Sequence, residues 1–425
     1  MPSLPVPVSA PFHSRQGGNP SSSRLALTTV TALFFMWGFI TCLNDILIPH
    51  LKAVFALNYF RSSLIQFSFF GAYFLISLPA GKIVARLGYQ RGMIAGLLTC
   101  AAGALLFQPA ASQVSYPLFL GALFVLASGT TILQVAANPY VSVLGDVKTA
   151  SSRLNLAQAF NSLGTTVAPF FGGWLILAAA GSMAAMTPLE QAASVKGPYL
   201  FIAVALGMLA LLIGFLKLPS IPAVEGDEEH SFAGLFEIRH LVMATIGIFL
   251  YVGAEVSIGS YLINFMGDPE IGGLSPQRAA HYVAYYWGGA MVGRFIGSAL
   301  LQKMRPNRLL MLHAATAVAL LGIALCFRGQ MAMWAAILVG LCNSIMFPTL
   351  FTLGIAGLEH RTSRGSSLLI MAIVGGAIIP VLTGRLADAI GIQHALIIPV
   401  LCYLYIVYFG IDGWKPRKAA SESRI

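Results

Sequence analysis

The amino-acid sequence predicts an all-α membrane protein: twelve transmembrane helices in two pseudo-symmetric six-helix lobes. Three observations carry this. Of 425 residues, 57% are hydrophobic and only 9% charged, where a soluble domain carries roughly a quarter charged. Apolar runs long enough to cross a bilayer, about 20 residues each, recur from one end of the chain to the other. Matching residues also return at matching spacings in the two halves.

The predicted spans 1 to 12 cover 26–49, 62–85, 92–110, 116–144, 154–180, 198–217, 241–266, 279–302, 308–327, 331–354, 366–390 and 393–412. Residues 1–23 are polar and rich in Pro, Ser and Gly. They predict a disordered cytoplasmic tail with no cleavable signal, so span 1 acts as its own insertion signal. The N-terminal lobe takes 24–217. The polar stretch 218–240 holds five acids, Glu225, Asp227, Glu228, Glu229 and Glu237, and reads as a solvated cytoplasmic linker. The C-terminal lobe takes 241–412, and 413–425 form a second cytoplasmic tail.

With both termini inside, 18 of the 25 Lys and Arg fall on the cytoplasmic side, as the positive-inside rule requires for an even span count. The net charge of +10 therefore reports orientation, and no nucleic-acid partner is expected. Cys42, Cys100, Cys326, Cys342 and Cys402 all lie in apolar runs and read as core residues rather than disulfides or metal ligands. There is no metal-ligand spacing, no phosphate-cradling loop and no Ser–His–Asp pattern, so neither an enzyme nor a metal site is expected.

The repeat is specific. Arg153 is followed by Pro169 and Gly173, and Arg364 by Pro380 and Gly384, with spacings of 16 and 4 in both cases. Spans 4 and 10 each carry a proline midway, Pro139 and Pro348. Spans 2 and 8 are expected to end in a glycine followed by a basic loop, GKIVARLGYQR at 81–91 and GSALLQKMRPNR at 297–308. Parallel six-helix repeats place a site near the bilayer midplane between the lobes.

Polar stripes point at that place. Thr130, Gln134 and Asn138 recur at i, i+4, i+8 in span 4. Gln158, Asn161, Ser162 and Thr165 lie on one face of span 5. Span 1 offers Trp37, Thr41, Asn44 and Asp45, and span 2 Gln66, Phe70, Tyr73 and Ser77. Span 8 carries Tyr282, Tyr285 and Tyr286, and span 10 has Asn343 a turn before Phe347. Uncharged hydrogen-bonding groups in oily helices cost free energy unless they meet a cavity, a ligand or each other. Amides beside aromatic faces suit a sugar, whose hydroxyls bond to amides and whose C–H faces stack on rings. Two carboxylates lie within spans: Asp45 in the outer half of span 1, and Glu255 about 21 Å along span 7. Each is a candidate for binding a proton or Na⁺. The alternatives are an interfacial residue for Asp45 and a structural partner of Arg294 for Glu255. Asp388 and Asp412, near span ends, read as interfacial.

LNDILIPHL, LIQFSFFGAYF, AANPYVSVLG, RLNLAQAFNSLG and SIMFPTLFTLGI closely resemble the fucose–galactose–glucose:H⁺ symporter family of the major facilitator superfamily, nearest its glucose/galactose branch. Gly81, Arg86, Gly88 and Arg91 match the superfamily's loop signature between helices 2 and 3, with Ala85 at its usual acidic position. The resemblance implies the major facilitator fold and inward symport of a neutral hexose such as glucose or galactose, with H⁺ or Na⁺, by alternating access. It places the protein in a bacterial inner membrane as a functional monomer, its partners the sugar and the lipid bilayer, with no cofactor beyond the coupling ion. In the family's fucose permeases one coupling acid matches Asp45 and the second falls on Gln134, which cannot carry a proton. Glu255 is then the candidate second acid. Asn44, Gln66, Gln134, Asn138, Gln158, Asn161 and Asn343 are the expected sugar contacts, and Gly81, Arg86, Arg91, Arg153, Arg294 and Arg364 the expected gate. Another sugar (fucose, N-acetylglucosamine, mannose), antiport of amphipathic compounds and a non-transporting sugar sensor are the alternatives.

Overall fold

The computed structural model describes residues 26–40, 55, 59–172, 193, 195–216, 218–219 and 233–416. Twelve helices follow one another in the predicted order. In the first lobe they are α1 (Ala26–Ile40), α2 (Tyr59–Leu87), α3 (Tyr89–Ser112), α4 (Tyr116–Val143), α5 (Ala150–Gly172) and α6 (Lys196–Phe215). In the second they are α7 (Arg239–Gly267), α8 (Pro276–Lys303), α9 (Pro306–Cys326), α10 (Gly329–Gly354), α11 (Thr362–Ile390) and α12 (Ile392–Gly413). Nine of them are long and apolar enough to cross a membrane among the described residues. The described part of α1 is too short for that measure, and α5 and α8 are too polar. The last two face one another across the lobe interface, which accounts for their polarity.

The connections α2–α3, α4–α5, α8–α9 and α10–α11 gather at one end of the bundle, called here the basic end after Arg86, Arg91, Lys148, Lys303, Arg305 and Arg361. Gly88, at φ 80° between α2 and α3, takes a backbone conformation that side chains resist. Asp412 is ion-paired to Arg239 at 2.5 Å and Lys415 at 3.1 Å at this end, in keeping with an interfacial position.

The repeat survives into packing. A Cβ on Gly164 of α5 would strike the Phe35 carbonyl of α1, and one on Gly375 of α11 would strike the Phe249 carbonyl of α7. Gly38 and Gly253 answer from the facing helices, against Asn161 and Ile379. Small residues let membrane helices approach this closely, and both lobes use them at equivalent places.

Three expectations need correction. Gly81 and Gly297 do not end their helices, because α2 continues to Leu87 and α8 to Lys303. Each is instead a close-approach point, Gly81 against Ser367 of α11 and Gly297 against Ile345 of α10. Arg153, expected one residue before span 5, lies in the first turn of α5. Span 10 is broken, into Gly329–Asn343 and Met346–Gly354. Pro348 explains the break: it has no N–H to give the carbonyl of residue 344, four positions earlier. Asp45, Asn44, Gly173, residues 1–25, the tail beyond Pro416 and most of the linker lie outside the described residues.

Candidate functional site

In the first lobe the amide stripes of α4 and α5 are buried. Gln134 is 2% exposed and Asn138 0%. Gln134 donates from Nε2 to the Tyr73 hydroxyl of α2 at 2.7 Å. Its Oε1, both amide atoms of Asn138, Oδ1 of Asn155 and Nε2 of Gln158 are buried without a hydrogen-bond partner among the described residues. A buried polar atom left unpaired costs about 1–3 kcal/mol, so each of these five atoms on α4 and α5 is costly unless water or a ligand meets it. They include donors and acceptors. Asn161 instead ties α5 to α1, its Nδ2 donating to the Phe34 carbonyl at 3.0 Å. Gln66 lies on α2, with its side chain outside the described set.

In the second lobe Glu255 sits on α7 with Oε1 buried and unpartnered among the described residues. Around it lies a network of aromatic hydroxyls. Tyr403 of α12 donates to Asn343 Oδ1 at 2.6 Å, and Asn343 Nδ2 donates to the Tyr286 hydroxyl of α8 at 2.8 Å. Tyr286 in turn donates to the Glu255 backbone carbonyl at 3.2 Å, while Tyr251 donates to the Asn343 carbonyl at 3.0 Å. Both ends of the Asn343 amide are thus engaged at 1% exposure. Asn343, an expected sugar contact, links α7, α8, α10 and α12 through its amide and its backbone carbonyl. Tyr282 and Tyr285 instead pack against Trp334, the first edge-to-face and the second tilted, with ring centroids 5.7 and 5.9 Å away.

Arg294 joins the two lobes. Its guanidinium donates to the Ser162 hydroxyl of α5 and, through Nε, to the Ser344 carbonyl at 3.3 Å. Its own carbonyl accepts from Asn155 Nδ2 at 2.7 Å. Glu255 lies within its electrostatic range, yet the ion pairs among the described residues are Arg239–Asp412, Lys415–Asp412 and Arg328–Glu270. The structural-partner reading of Glu255 therefore finds no direct bond. Arg294 also lies nine residues, about 14 Å, inside the basic end of α8, deeper than Arg86 and Arg91, with which the expected gate groups it.

Toward the basic end the interface is closed by neutral groups. The Ser151 and Thr352 hydroxyls are 2.6 Å apart, and Ser152 donates to the Ser298 carbonyl at 2.7 Å while Ser298 donates back to Ser152 at 3.1 Å. Ser366 of α11 donates to the Val135 carbonyl of α4 at 3.2 Å. Gly81 lets α2 meet Ser367 in the first turns of α11, where Arg364 also lies. Arg153 binds within its own lobe, to the Val141, Ser142 and Asp146 carbonyls, and so caps the end of α4. Arg86 and Arg91 are exposed. Hydroxyls on apolar helices carry too little sequence signal to single out Ser151, Ser152, Ser298 and Ser366. Asn155 and Ser366 could have been found from the repeat, since each lies two residues after its repeat arginine.

The chain matches the Major Facilitator Superfamily over residues 26–371. It is 55% identical over 414 residues to the glucose/galactose transporter of Brucella abortus biovar 1 (strain 9-941), covering 96% of this chain and 99% of that one. The L-fucose-proton symporter of Escherichia coli (strain K12) is 37% identical, over 93% of this chain and 94% of its own. Crystal structures of the E. coli fucose:proton symporter FucP, one of them in the outward conformation, superpose with a TM-score of 0.85 at 36% identity, covering 92% of this chain and 99% of theirs. These relatives are membrane transporters, not enzymes, and they share both the twelve-helix layout and nearly the full length. The chain belongs to the Major Facilitator Superfamily.

Proposed function

We propose that the protein is a cation-coupled symporter that carries a neutral hexose, glucose or galactose, across a bacterial inner membrane by alternating access. The observation that carries this reading is the set of five buried, unpartnered amide atoms on α4 and α5. Mixed donors and acceptors without charge suit a polyhydroxyl solute and would waste free energy on an apolar one. Gln134, Asn138 and Gln158 contact the sugar, joined by Gln66 and Asn44, and Asn161 positions α1 beside them. Asp45 and Glu255 are the coupling groups, one in each lobe, and the ion is H⁺ or Na⁺. Gln134 leaves α4 without a titratable group, which moves coupling to these two. The names of the relatives, a glucose/galactose transporter and an L-fucose-proton symporter, agree with both parts of this assignment.

Both termini face the cytoplasm, so the basic end is the cytoplasmic end, and the described conformation is closed there. The lobes at 24–217 and 241–412 rock about the site with the linker between them. The protein works as a monomer. The test is counterflow in proteoliposomes: vesicles preloaded with unlabelled sugar should take up labelled glucose or galactose transiently above its equilibrium level. Absence of counterflow for every hexose offered, with fucose, mannose and N-acetylglucosamine in the same panel, overturns the reading.

A further inference from the structure

Pro139 and Pro348 stand four and six residues before the basic ends of α4 and α10. A proline inside a helix takes away the N–H that would bond the carbonyl four residues earlier. The carbonyls so released are those of Val135 and Ser344. Each is satisfied by a side chain from a different helix. Val135 accepts from the Ser366 hydroxyl of α11 at 3.2 Å, across the lobe interface. Ser344 accepts from Arg294 Nε at 3.3 Å, and the same guanidinium reaches Ser162 of the opposite lobe. The repeat mate of Ser366 is Asn155, and Asn155 holds the Arg294 backbone at 2.7 Å. Both freed carbonyls are thus met by a side chain of another helix, Val135 across the lobe interface and Ser344 within its own lobe.

We propose that the Val135 carbonyl is a latch. Ser366 on Val135 holds the basic end shut by a bond that exists only while the lobes are together, whereas the Arg294–Ser344 bond lies within the second lobe and positions the guanidinium that reaches Ser162 of the first. A helical carbonyl bonded to its own helix contributes equally to open and closed states and shifts nothing. A carbonyl stripped by proline contributes only to the state that supplies its donor, and a differential contact of this kind is what moves a conformational equilibrium. In this latch the serine and the proline therefore act as a pair: the serine matters because the proline is there. This rests on the alternating-access reading for its meaning in transport, but its chemistry is open to measurement without sugar or gradient.

The test follows the basic end in the full-length chain, its native cysteines replaced, with nitroxide labels at Val147→Cys and Met304→Cys, two exposed positions in opposite lobes. Electron-spin distance distributions in sugar-free protein report the ratio of open to closed molecules. Ser366→Ala should raise that ratio about fivefold, the scale of one lost hydrogen bond. Pro139→Ala returns an N–H to Val135, so Ser366→Ala added to it should change the ratio by less than about twofold. No change on Ser366→Ala, or the same fivefold change in the Pro139→Ala background, overturns the latch. If Ser366→Ala does not purify as a monodisperse protein, Ser366→Cys, a weaker donor of similar size, takes its place with the same two outcomes. Because neither sugar nor ion enters the measurement, loss of the symport reading would leave this result standing, and loss of the latch would leave symport untouched.

Discussion

Gln134 of α4 donates from Nε2 to the Tyr73 hydroxyl of α2 at 2.7 Å, and this one contact fixes which end of the amide remains for a ligand. With the nitrogen held, Oε1 is the free acceptor. Gln134→Ala should weaken hexose binding about tenfold, and Tyr73→Phe, which keeps the ring but releases the amide, about threefold. Titration calorimetry on purified protein reads both, and unchanged affinity in both variants would remove α4 from the site.

Glu255 is the carboxylate the described structure places between the tyrosine network and Arg294. As a coupling group it must change its ion occupancy each cycle, whereas exchange of sugar on both sides needs no such change. Glu255→Gln is expected to abolish uphill accumulation while counterflow survives at no less than about a third of the native rate. Concentrative uptake by a well-folded Gln variant would leave Glu255 a structural role alone.

Asn343 should behave as scaffold. Asn343→Ala strips partners from the buried hydroxyls of Tyr286 and Tyr403 and is expected to lower stability by about 3 kcal/mol. Denaturant unfolding in detergent measures this. A stable variant with lost sugar affinity would make Asn343 a direct contact after all.

The fold was legible because its signals are redundant: hydropathy gives the helices, and repeated Arg–Pro–Gly spacings the two lobes. The amide stripe on α4 was legible for a similar reason, since Gln134 and Asn138 are costly in oil. Asn343 looks alike in sequence, but both ends of its amide are bonded, to Tyr403 and Tyr286, far away along the chain. The gate was least legible. Its strongest apparent members, the arginines, divide into a cap on α4 (Arg153), a deep bridge (Arg294) and exposed end residues (Arg86, Arg91), while serines close the interface. A serine in an apolar helix fits packing as easily as bonding, so only the neighbour across the interface decides.

Two glycine substitutions separate close packing from open space. Gly375→Ala puts a Cβ into the Phe249 carbonyl, whereas a Cβ on Gly207 of α6 meets nothing within 4 Å. The first should cost about 1–3 kcal/mol through overpacking. The second should be neutral or slightly stabilising, because Gly costs a helix about 1 kcal/mol relative to Ala. Thermal unfolding of the two variants side by side checks the order.

The most direct test of the central claim is accumulation of labelled glucose or galactose by proteoliposomes under an imposed gradient, inward H⁺ in one set and inward Na⁺ in another. One of the two gradients should drive the sugar above its outside concentration, and a protonophore or loss of Na⁺ should collapse it. Equilibration without accumulation under both gradients would contradict cation-coupled symport.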